Sequence, residues 1–170
     1  MQPVSAEPDP VDGLITAWQT ELPEVLGPTT ELTKRIMVLS GELAAATKRE
    51  LSAFGLTAAE FDVLATLRRG GKPYRLKPNE LSRSLLLSTG GTSNVVNHLV
   101  AEGLVRREPD PDDGRSTLIS LTPKGVRLAE DALRATSTAH AEVFDTVPPA
   151  VLRAATKGLR DLFLARPPRR

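Results

Sequence analysis

Arg115 closes an acidic run, PDPDDGR, that passes directly into the apolar, strand-like segment STLISLT. Glu108, Asp110, Asp112 and Asp113 all stand just before it. Carboxylate-rich loops bind calcium, stay wet as plain turns, or present something at their tip. The calcium register fails: counted from Asp110, glycine falls at the fifth position rather than the sixth, and the twelfth is Leu121 rather than glutamate. A solvated turn and a hairpin tip remain. At a tip, Gly114 allows the turn and Asp113, two residues before Arg115, orients the guanidinium by a charge-assisted hydrogen bond. An arginine held that way suits the negative potential of a DNA minor groove. The other acids then keep the tip soluble and blunt non-specific attraction to phosphate.

The stretch SLLLSTGGTSNVVNHLVAEGLV carries a second pattern. With Thr92 centred on one side, Val95, Val96 and Leu99 join it at i+3, i+4 and i+7, the spacing of a buried helical face. Gly90, Ser93, Asn94, Asn97 and Ala101 fall opposite, with His98 at the border. That side is small and uncharged, where an ordinary solvated helix carries Glu and Lys. Such side chains can read base edges in a major groove, and a helix N-terminus can take a phosphate. The candidate DNA contacts are Ser88, Thr89, Gly90, Gly91, Ser93, Asn94, Asn97 and His98 here, with Asp113 and Arg115 on the hairpin. Each glycine of Gly90-Gly91 costs a helix about 1 kcal/mol relative to alanine; close approach of backbone to DNA and a loose first turn both account for the pair. His98 lacks the company of a metal site, since the other histidine is His140 and the chain has no cysteine. No G-x-S-x-G, H-E-x-x-H or phosphate-binding glycine loop occurs. The chain is therefore read as a non-enzyme with no cofactor or metal.

These residues need elements to hold them. Residues 1–10 read as a disordered leader. Leu14, Ile15, Trp18, Leu22 and Val25 have helical spacing up to Gly27-Pro28. Thr30 is expected to cap a long helix with its apolar stripe at Leu32, Ile36, Leu39, Leu43, Ala46 and Leu51, a length that suits packing on a partner subunit. Thr57 and Glu60 form a capping box for a helix with Phe61, Leu64 and Leu67 on one face. Lys77-Pro78 opens a short helix, and Ser88 caps the polar-faced one, which Gly103 stops. LVRRE and STLISLT flank the acidic turn as a β-hairpin. After Thr122-Pro123 the chain is helical again to about Asp145, and Pro148-Pro149 starts a last helix with Leu152, Ala155, Leu159, Leu162 and Phe163 on one face. This order predicts a mainly α fold with a small β-hairpin wing: N-terminal helices over 11–56, a winged helix-turn-helix domain over 57–122, C-terminal helices over 123–165 and a basic tail at 166–170.

The 170 residues suffice for one core, and 40% hydrophobic with 25% charged residues is ordinary for a folded protein. Absence of cysteine excludes a disulfide scaffold and suits a reducing compartment. No apolar run approaches a membrane span, and the acidic, Pro-rich start is unlike a secretory signal, so a cytoplasmic location is expected. Between Asp62 and Arg127 eleven basic residues face seven acidic ones, whereas the flanks are net acidic, which places any polyanion-binding surface in the middle of the chain.

From about Leu32 onward the sequence resembles the MarR family of transcriptional regulators, through NELSRSLLLSTGGTSNVVNHLVAEGLVRRE, the Asp-x-Arg of DPDDGRS, and LTPKG. The resemblance implies a homodimer joined by its terminal helices, each subunit presenting a winged helix to a palindromic operator in double-stranded DNA. It also implies release by a small aromatic or phenolic effector bound between the dimerisation and DNA-binding parts. The added N-terminal helix is similar to that of the urate-responsive, PecS-like subgroup, which implies ligand roles for Trp18, Asp62 and Arg107. Val95 stands where that subgroup has a further arginine. Read without the resemblance, Trp18 packs in a core and Asp62 is a surface or capping carboxylate. The alternative function is a helical protein-interaction module whose winged helix binds no specific DNA.

Overall fold

The structure is a computed structural model that describes residues 9–85, 89–111 and 113–166, with backbone alone at Thr89, Gly90, Gly114 and Arg115. The described residues form seven α-helices, one 3-10 turn and a three-stranded sheet.

Helix α1 spans Pro10–Glu21 and starts inside the expected leader. Asp9 caps it by accepting from the amides of Val11 and Asp12, while the Asp12 carboxylate accepts from the Asp9 amide, and Pro10 fits the first helical position, which needs no donor. Arg35 bonds both carboxylates and so fastens α1 to the next helix. After a 3-10 turn at Pro23–Val25, α2 runs over Thr30–Ala53, about 36 Å at 1.5 Å per residue. Thr30 is its first helical residue rather than its cap, and its hydroxyl accepts from the Gly27 amide at 2.9 Å.

The middle of the chain holds α3 (Ala58–Arg69), α4 (Pro78–Leu85), α5 (Thr89–Ala101) and an antiparallel sheet ordered β1-β3-β2. Strands β2 (Val105–Asp110) and β3 (Asp113–Leu121) are the expected hairpin. Strand β1, Arg75–Leu76, pairs with Ser120 and Ile119 of β3 and makes the sheet three-stranded. Leu64 and Leu67 of α3, Leu81 of α4, Val96 and Leu99 of α5, Val105 of β2 and Ile119 of β3 fill one core together with Leu51 and Ala129 from the long helices. Phe61, expected on the buried face of α3, is only half-buried, and Val63 takes its place inside.

Helix α6, Pro123–Val143, begins at a tight junction. Thr122 Oγ1 accepts from the Gly125 amide and donates to the Gly103 carbonyl at 2.8 Å, while the Thr122 amide donates to the Leu104 carbonyl. A Cβ placed on Gly125 would lie 2.0 Å from the Leu104 carbonyl oxygen, so only glycine lets α6 approach the end of α5 this closely. The last helix, α7 (Pro149–Ala165), has no buried residue within the single chain.

Candidate nucleic-acid interface

Helix α5 is amphipathic in the expected sense. Thr92, Val96 and Leu99 are buried, Val95 is half-buried, and Gly91, Ser93, Asn94, Asn97 and His98 are exposed. Ser88 lies outside the described residues, as do the side chains of Thr89 and Arg115 and whatever Gly90 presents; the backbone of Arg115 belongs to β3.

His98 is tied to the domain interior. Its Nδ1 bonds Oε1 of Glu60, a buried carboxylate at the start of α3. The second Glu60 oxygen accepts from the Thr57 amide and the Thr57 hydroxyl, each at 2.8 Å. Burial pushes the Glu60 carboxyl up, but the hydrogen bonds from Thr57 and His98 together outweigh it and hold the group below the usual carboxylate range.

Arg107 is likewise tied to a neighbouring element. It sits on β2 opposite Ile119, and its Nη2 donates to Oδ1 of Asn97 at 2.9 Å, which links the wing to the exposed face of α5. It does not line the cavity that holds Asp62. That cavity, about 730 Å³, opens between α2 and α3 and is lined by Thr47, Lys48, Leu51, Leu56, Thr57 and Asp62 among others. Its described lining includes neither Trp18 nor Arg107, so one chain does not assemble Trp18, Asp62 and Arg107 around a common space. Burial raises the Asp62 carboxyl above its ordinary value. Trp18 is 41% exposed on an apolar side of α1 that also shows Leu14 and Leu22, so it is not packed in the core of the single chain.

The wing's acids do more than solvate it. Asp110 is buried, and its Oδ2 bonds Lys77 Nζ and Ser116 Oγ, each at 2.9 Å. The carboxylate raises the Lys77 ammonium above its ordinary range. Glu108 accepts from Ser120 Oγ at 3.0 Å and from Arg106 Nε at 3.1 Å. Asp110 fastens the tip to the residue before α4, and Glu108 braces β3, roles that the sequence reading of these acids did not include. The pairing of β2 with β3 shifts register between Pro109 and Asp110, at the end of the strand. Asp113 stays exposed at the tip.

A second groove, about 620 Å³, lies between α3 and α6, where Arg68 and Arg134 both bond Glu130. No group of His, Cys, Asp and Glu able to hold a metal occurs among the described residues, and none of the described helices is long and apolar enough to cross a membrane.

Comparison with known proteins gives a consistent picture. The MarR family model matches residues 54–116, the stretch from the end of α2 to β3. The HTH-type transcriptional regulator PecS of Dickeya dadantii (strain 3937) is 30% identical over 118 residues, which cover 69% of this chain and 71% of that protein. The crystal structure of wild-type apo MarR from E. coli superposes with a TM-score of 0.67 at 25% identity, covering 77% of this chain and 96% of that one. A mutant E. coli MarR complexed with operator DNA superposes with a TM-score of 0.68 at 24% identity over 81% of this chain and 99% of that one, a likeness of fold.

Proposed function

The chain belongs to the MarR family of transcriptional regulators, and from that premise we propose that it is a cytoplasmic, homodimeric repressor that holds a palindromic operator until a small aromatic or phenolic effector releases it. One observation carries the DNA-binding part: α5 turns Ser93, Asn94 and Asn97 outward beside a wing that is fastened to that same face through Arg107. The polar side chains suit the major groove, and Arg115 on β3 suits the neighbouring minor groove. Two such units related by a two-fold axis would meet half-sites about 10 bp apart.

The dimer reading is supported by the apolar surface that one chain leaves uncovered. Phe163 and Leu164 of α7 are each 72% exposed, and Trp18 of α1 and Ile36 and Leu39 of α2 are exposed as well. Patches of this kind mark association sites. The effector reading is supported by the α2–α3 cavity, whose volume is in the range that small ligands occupy. Asp62 would accept from a ligand hydroxyl or N–H there, and apolar Leu51 and Leu56 would flank an aromatic ring.

A mobility shift with a palindrome from the region upstream of the gene tests the central reading. Tight, sequence-dependent retardation that weakens in Arg115→Ala is the expected result. Equal, weak binding to any duplex, unaffected by that substitution, would refute it. Thermal shift against aromatic acids and purines, repeated with Asp62→Asn, tests the cavity.

A further inference from the structure

We propose that Arg107 is a positioning residue for base readout: by donating to Asn97 it turns that carboxamide so that only N–H donors face the groove, which selects guanine over adenine at the base pair Asn97 meets. The inference rests on the DNA-binding reading above and adds a basis for its specificity.

Arg107, exposed on β2, lines the small crevice between α4 and α5 together with Leu81, Ser82, Thr92, Ser93 and Val96. Nη2 then reaches Asn97 Oδ1 at 2.9 Å. A guanidinium offers only donors, so the amide end that meets it is the oxygen; chemistry settles the orientation of a group whose two ends look alike. With the oxygen turned toward the wing, the amide nitrogen points away from it, on the exposed face that also carries Ser93 and Asn94.

Asparagine reads adenine with both ends at once, its oxygen accepting from N6 and its nitrogen donating to N7. Arg107 occupies one lone pair of the oxygen and turns it toward the wing, which weakens the accepting half of that pairing. Guanine presents two acceptors, O6 and N7, to the major groove, and a donor-only surface meets them. The unused guanidinium N–H groups beside Asn97 add donors to the same surface. Arg107 thereby has a role at the DNA face that is distinct from the cavity between α2 and α3.

The test is selection from a randomised duplex library by the full-length protein and two variants. Arg107→Met keeps the stem in its crevice and removes the donors; Asn97→Asp keeps an oxygen for Arg107 and removes the amide N–H. Wild type is expected to enrich guanine at one position of each half-site. In Arg107→Met the guanine-to-adenine ratio there should fall about fivefold or more, with other positions unchanged. Asn97→Asp, at an exposed position, should lose the guanine preference at the same position. Uniform weakening by Arg107→Met with an unaltered profile would overturn the inference, because a phosphate contact or a packing role predicts that result. An unaltered profile in Asn97→Asp would overturn it as well. A wild-type library with no enriched sequence would instead overturn the DNA-binding reading, and this inference with it.

Discussion

The imidazole of His98, on the exposed face of α5, hydrogen-bonds the carboxylate of Glu60, which is buried at the start of α3. The bond joins α5 to α3 at the point where Thr57 caps α3, and Thr57 in turn lines the α2–α3 cavity. A side chain that reads in sequence as a border residue of the DNA face is thus also a strut between helices.

Glu60 should make the protein acid-sensitive. Its folded carboxyl lies below its unfolded value, so its contribution is complete above the unfolded value, about 4.3, and is lost as pH falls through the lower folded value. Glu60→Gln should cost about 1–3 kcal/mol near neutrality, since a charged acceptor of several hydrogen bonds is weakened. Urea unfolding of both proteins across the acidic range checks this. The gap between them should close at low pH, and a gap that stays constant would count against the assignment.

Asp62 should behave in the opposite way. Burial raises its folded carboxyl, so folding binds the proton more tightly than the unfolded chain does. Stability is then lost as pH rises from the unfolded value through the raised folded one, and the penalty is full above it. Asp62→Asn should therefore melt at a higher temperature than wild type at neutral pH, with the advantage shrinking on acidification. Calorimetry at several pH values reads both.

Gly125 should not tolerate a side chain. The nearest obstacle to a Cβ is the Leu104 carbonyl, which is backbone and cannot rotate aside. Gly125→Ala should destabilise the protein by about 1–3 kcal/mol as α6 is displaced from the end of α5. Chemical denaturation measures it, and a neutral result would mean that the junction is slack.

The wing should depend on Asp110 and Lys77 as a unit. Asp110→Ala is expected to cost about 1–3 kcal/mol of stability by leaving Ser116 and Lys77 without their shared acceptor. Operator affinity should fall in Asp110→Ala and in Lys77→Met, and the double variant should lose less than the two losses added together. Additive losses would show that the two residues act separately.

Much of this molecule is written locally in its chain. The capping box at Thr57 and Glu60, the buried face through Thr92, Val96 and Leu99, the hairpin around the acidic turn and the Thr122-Pro123 start of α6 are all set by residues a few positions apart. Their spacing repeats with the helix or the strand, so periodicity and capping chemistry reveal them. The Asp9 box was equally local, and only its acidic, Pro-rich surroundings made it read as a leader.

Other features come from pairings that no local period encodes. Strand β1 has two residues, too few for any alternation, and exists because β3 offers it an edge. Asp110 is buried where Ser116 of β3 and Lys77, from the segment before α4, meet its carboxylate. Arg107 meets Asn97, and His98 meets Glu60, across elements whose relative placement is decided by the shared core of Leu64, Leu81, Leu99 and Ile119. The chain alone specifies which faces are apolar and where helices start and stop. Packing those faces together decides which polar groups end up within bonding distance, because close-packed cores fix the positions of the helices that carry them.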